Sequence, residues 1–127
     1  MNLHDLIISL ERLKRERAAL NEQESILAKP VITDLERMDD VYSAFNTIGG
    51  SRNTFIIIAV RLFSPRSLAG NNLAAGVRNK MAMVLGCEPT VVSHAFENLV
   101  FFYKKYKNFR KEVDRVYSEL CGMLGIE

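Results

Sequence analysis

The sequence predicts an all-α protein, on three observations. Apolar residues recur at helical spacing through most of the chain. Glycine and proline, seven and three residues in a chain of 127, fall mostly between those periodic segments. The most strand-like run, FIIIAVRLF from Phe55 to Phe63, has no second strand to pair with. A lone strand would leave its backbone amides and carbonyls without partners, so this run is assigned to a buried helix.

The first element spans roughly residues 3–28. Leu6, Leu10, Leu13, Leu20 and Leu27 fall on alternating four- and three-residue steps, with Arg17 and Glu24 at the two skipped positions. That is coiled-coil spacing with charges on the remaining faces. Pro30 ends it. A helix of that length would extend on the order of 40 Å, longer than a small core needs. Either it projects and pairs with another chain through these leucines, or it folds back on the second helix as a hairpin. The second helix is expected to begin at Thr33, which with Glu36 has the form of a capping box. Leu35, Met38, Val41, Tyr42, Phe45 and Ile48 then share one face. Gly49-Gly50 closes it and marks the expected boundary between an arm, residues 1–50, and a core, residues 51–127.

Ser64-Pro65 stops the buried helix, and a short turn of helix follows from Pro65 to Ala69. Asn72 is placed to cap a helix running to about Leu85, with Leu73, Val77, Met81, Val84 and Leu85 inward. The next helix starts near Pro89, a residue suited to the first turn because it lacks the amide that would go unpaired there. Its apolar stripe is Val92, Ala95, Phe96, Leu99, Phe102, Tyr103 and Tyr106. Thr90, Ser93, His94, Glu97, Asn98 and Phe101 lie opposite and lead on to Lys104 and Lys105. A last helix, about Asn108 to Met123, buries Phe109, Val113, Val116 and Leu120. The aromatic run around Phe102 has the spacing of core packing rather than of a base-stacking platform.

Composition narrows the function. A hydrophobic share of 48% with 25% charged residues is that of a globular protein and excludes a wholly disordered chain. The longest apolar stretch, Phe55 to Val60, is far short of the roughly 20 residues that cross a bilayer. Charges interrupt the opening segment, so no secretory signal is expected and a cytoplasmic location is. Two cysteines, Cys87 and Cys121, and two histidines, His4 and His94, are too scattered for a metal site; the cysteines are expected to be small apolar fillers. No nucleophile–His–acid set, paired carboxylates or Gly-rich phosphate loop is present, so neither catalysis nor a cofactor is expected. The net charge of +2 conceals a basic middle. Residues 51–111 carry Arg52, Arg61, Arg66, Arg78, Lys80, Lys104, Lys105, Lys107, Arg110 and Lys111 against only Glu88 and Glu97. The segments before and after it are net acidic. Such a balance suits a polyanion-binding core.

The stretch MAMVLGCEPTVVSHAFENL, Met81 to Leu99, resembles a helix-turn-helix. Small Ala82 admits the second helix, Gly86 supplies the tight turn, and Val92 packs the second helix back on the first. Within it, GCEPTVVSHAFENL, Gly86 to Leu99, is similar to the signature of the C-terminal DNA-binding domain of the bacterial replication initiator DnaA, through Gly86, Glu88, Thr90, Val92 and His94-Ala95. The likeness extends over roughly Asn53 to Leu120. Pro89, Cys87 and Val91 depart from that pattern, where the family has histidine, arginine and a second threonine, and no ATPase phosphate loop accompanies it. The whole also resembles small proteins of phages and mobile elements that join a helical arm to such a domain.

The resemblance implies binding of double-stranded DNA, with the second helix in the major groove. Thr90, Ser93, His94, Glu97 and Asn98 are the expected DNA-facing residues, and Arg66, Arg78, Lys80, Lys104, Lys105 and Lys107 the phosphate contacts. A dimer formed through the arm would present two copies to two half-sites. Glu88 and Glu97 would repel phosphate. They keep open the alternative of a protein–protein adaptor on the same scaffold.

Overall fold

Asn2 opens the first helix by accepting the amide of Asp5 on its side-chain oxygen at 2.8 Å. From there α1 (Leu3–Leu27) runs unbroken and buries none of its side chains. Leu10 and Leu20 are 56% and 64% exposed. In the computed structural model, which describes residues 1–126, this helix projects from the body as a free arm. The hairpin alternative fails for a physical reason: the apolar face it needs on α2 (Met38–Ile48) is already occupied. Met38, Val41, Ala44 and Phe45 are buried where α2 packs against α7, α4 and α3.

The packing boundary therefore lies near Ala28–Pro30, not at Gly49-Gly50. The amides of Val31 and Ile32 both donate to the carbonyl of Leu62 at 3.0 Å, which stitches the end of the arm to the core. Ile32 joins a single apolar cluster that continues through Cys121. Gly49-Gly50 is a turn inside that body. With φ values of 89° and 154°, the pair ends α2 and hands the chain to α3 (Arg52–Phe63). The expected box at Thr33 is also absent. Asp34 caps the amide of Glu36 at 3.0 Å and opens a short 3-10 helix, Leu35–Arg37, before α2 begins.

The FIIIAVRLF run is helical, as the missing partner strand requires. Phe55 to Val60, Leu62 and Phe63 are all buried, because α2, α4, α5, α6 and α7 surround α3. Arg61 alone in that run reaches out, its guanidinium 3.8 Å from the ring centre of Tyr117. A 3-10 helix, Pro65–Ala69, leads to a loop that replaces the expected helix start at Asn72. Two buried serines hold this loop: Ser64 Oγ accepts the Ala74 amide at 2.9 Å and Ser67 Oγ donates to the Asn72 carbonyl at 3.0 Å. Helix α4 (Val77–Leu85) then starts at Gly76, whose φ is 81°.

The remaining helices are α5 (Pro89–Phe96), α6 (Leu99–Lys105) and α7 (Lys107–Leu124). The long stripe expected from Val92 to Tyr106 is thus cut twice, at Glu97-Asn98 and at Tyr106. Turning at Asn98 brings Leu99 fully into the core, whereas Tyr106, expected inside, is 49% exposed. Arg110 secures the second break by donating to the carbonyls of Tyr103 and Lys104. Cys121 is buried and Cys87 half-buried, both as free thiols. No described helix is long and apolar enough to cross a membrane.

Candidate nucleic-acid interface

Two short helices joined by a tight turn form the centre of the candidate site. At the end of α4 the chain reverses through Gly86, at φ 69°. The Cys87 amide donates to the Ala82 carbonyl at 3.0 Å and the Gly86 amide to the Met83 carbonyl at 3.3 Å. This pair of bonds is the Schellman motif, which satisfies carbonyls that a helix end leaves free and requires a left-handed residue, here glycine. Pro89 then starts α5 two residues after Cys87. Ala82 and Val92 are both buried, at 3% and 0% exposure, and α4 packs against α5. The three positions whose spacing suggested the motif therefore occupy an inward, a turning and an inward place.

With Val92 inward, Thr90, His94, Glu97 and Asn98 are exposed along α5 and its end. Ser93 is half-buried. Its hydroxyl lies 3.4 Å from Arg78 Nη1 and 3.4 Å from the Pro89 carbonyl, so Arg78 reaches from α4 toward α5. Beside this contact a groove of about 550 Å³ runs between α4, α5 and the loop before them, with Asn71, Asn72, Arg78, Asn79, Ser93 and Phe96 among its lining residues. Sequence reasoning missed the three asparagines. Their signal is three amide side chains within nine residues of Arg78, hidden by reading Asn72 as a helix cap.

The basic residues divide. Lys104 and Lys107 are exposed, and Lys105 is exposed with its ammonium 5.4 Å from the Phe101 ring centre and 5.6 Å from that of Tyr106. Lys80 does not join them. Its side chain is only 12% exposed and its Nζ sits 3.0 Å from Asp39 and 3.6 Å from Glu36, so it ties α4 to α2 and its preceding turn. The hydrogen bond to Asp39 raises its pKa above the ordinary lysine value. Arg66 lies 3.1 Å from Glu24, at the foot of the arm rather than beside α5. The breaks on either side of α6 also mean that Lys104 and Lys105 do not continue α5's polar face on one helix.

Exposed hydroxyl, imidazole and amide groups can donate to phosphates and base edges, and Glu97 can accept from a base amino group. No group of three or more His, Cys, Asp or Glu among the described residues is arranged to hold a metal ion. The site is thus a surface built on two short helices and the loop before them, with polar groups raised on the second helix. No family model matches this chain, and no curated protein and no solved structure matches it.

Proposed function

We propose that the chain is a non-catalytic double-stranded DNA-binding protein of regulatory type, acting on transcription or replication, with α5 entering the major groove and the projecting arm joining two copies. The observation that carries this reading is the turn at Gly86. By closing α4 and burying Val92, it leaves Thr90, His94, Glu97 and Asn98 raised together on one edge. Two of these, Thr90 and His94, are among the positions that carry the resemblance to the DnaA DNA-binding signature. Arg78, Lys104, Lys105 and Lys107 are the available phosphate contacts, and the asparagine-lined groove beside Arg78 offers further donors. Four contacts predict a log–log salt slope of about −3.6, at about −0.9 per phosphate.

Anisotropy titration of a mixed-sequence duplex at low salt tests the reading. Lys104→Glu with Lys105→Glu should weaken binding to every sequence at least tenfold, whereas His94→Ala should change sequence preference. An adaptor role is favoured by the internal pairing of Lys80 and Arg66 together with the exposed carboxylates of Glu88 and Glu97. Absence of duplex binding at tens of micromolar protein and low salt would select the adaptor, since non-specific DNA binders reach about 10⁻⁴ to 10⁻⁶ M at physiological salt and bind more tightly as salt falls.

A further inference from the structure

We infer that the arm pairs with the arm of a second copy in antiparallel orientation, staggered by one heptad, so that the first half of the partner's helix seats in the grooves at the foot of α1. The inference rests on the reading that the arm meets another copy of this chain and specifies how. The seam positions of α1 are unequal along its length. Leu3, Leu6, Leu10 and Leu13 make its first half wholly apolar, while Arg17 and Glu24 interrupt the second half. A parallel pair would set Arg17 against Arg17 and Glu24 against Glu24 across the seam, and like charges so placed are destabilising. An antiparallel pair without stagger would lay the basic block Arg12, Lys14, Arg15 and Arg17 beside itself.

A one-heptad stagger removes both conflicts. Leu10 then faces the partner's Leu27, Arg17 faces the partner's Leu20, and the basic block lies alongside the partner's Glu22 and Glu24. The foot of the arm has matching shape. The seam residues Leu20, Glu24 and Leu27 form one wall of a groove of about 440 Å³ whose other wall is Pro65, Arg66 and Leu68. A neighbouring groove of about 600 Å³ shares Leu27, Pro65 and Leu68 and continues to Val31, Ile58 and Lys29. In the staggered pair Leu10, Leu13 and Arg17 lie along the first groove, while Leu3 and Leu6, 72% and 44% exposed, overhang the partner's Leu27 and reach the second, where Asp5 approaches the charge of Lys29. The two cores leave the pair at opposite ends, about 28 Å apart at a rise of about 1.5 Å per residue.

Disulfide trapping in the full chain, with Cys87 and Cys121 replaced by alanine, tests the arrangement. Leu10→Cys combined with Leu27→Cys should give a covalent dimer under mild oxidation, and neither substitution alone should do so. Light scattering of the unsubstituted protein at about 100 μM should report twice the chain mass. A covalent dimer from Leu10→Cys alone would establish parallel pairing and overturn the proposal. So would a dimer by light scattering that the double variant fails to trap. A monomer at that concentration would overturn self-association itself, while the duplex titration separately decides the DNA-binding face.

Discussion

Helices α1 and α3 show how little a helix's own pattern says about its burial. The arm has the cleaner apolar seam, five leucines at coiled-coil spacing, yet buries none of its side chains. Helix α3 has no clear amphipathic face, yet Phe55, Ile56, Ala59, Val60 and Leu62 are wholly buried. The difference lies in what surrounds them. Five other helices pack around α3, so every face finds a neighbour. Past its foot, where Glu24 meets Arg66, α1 extends clear of the body. An unsupported helix draws on local terms such as the Asn2 cap and lacks the tertiary packing that supplies most helix stability in proteins. The seam of α1 therefore stays exposed in the single chain, and the apolar mass of α3 is what holds the body together.

The sharpest way to break that contrast is a matched pair of truncations. Leu62→Ala should cost about 2–5 kcal/mol, the range for deleting a buried leucine side chain, and will lower the denaturant midpoint of the whole core. Leu13→Ala should change core stability by no more than about 0.5 kcal/mol while reducing self-association. Equal losses in chemical denaturation would mean that the arm is part of the core after all.

A smaller effect is expected at the turn. Gly86 holds φ 69° and an added Cβ there would meet nothing within 4 Å. The cost of Gly86→Ala is then conformational only, about 1 kcal/mol for a left-handed residue with a side chain. A larger drop in duplex affinity than in stability, measured by titration and melting on the same variant, would show that the turn sets the pose of α5.

The smallest effect concerns pH. Lys80 and Tyr103 both have raised pKa values, Lys80 chiefly from its hydrogen bond to Asp39 and Tyr103 chiefly from donating to Asp114 at 2.6 Å. A group whose pKa is higher when folded contributes fully below its unfolded value and loses that contribution as pH rises through the folded one. Thermal melts should accordingly be unaffected by these two groups from pH 7 to about 9, then fall above the ordinary lysine and tyrosine values near 10. Lys80→Met and Tyr103→Phe should each flatten part of that alkaline decline. Lys80→Met should also leave the salt slope of DNA binding unchanged, because its ammonium already faces Asp39 and Glu36.

Much of this architecture was legible from residue order. Gly86, Pro89 and Pro65 mark real ends and starts, since each acts through its own backbone within one turn. The same is true of Val92, whose spacing from Ala82 and Gly86 needs only two adjacent helices. The illegible parts depend on distant residues. Thr33 lost its capping role to Asp34 one position away. Asn72 became loop because Ser67 and Ser64, buried elsewhere, took the Asn72 carbonyl and the Ala74 amide as partners. Lys80 carried the same charge as Lys104 but met two carboxylates from a segment some forty residues earlier, a meeting no local pattern records.

Helical content, the leucine seam and the sharp reversal at Gly86 followed from residue order alone, because hydrophobic period and backbone freedom act over a few neighbouring positions. Which faces became interior was decided only in three dimensions. Burial is a property of whatever packs opposite, so α2 joined the body, α1 stood apart, and Lys80 and Arg66 turned to acids of the same chain while Lys104 and Lys107 stayed exposed.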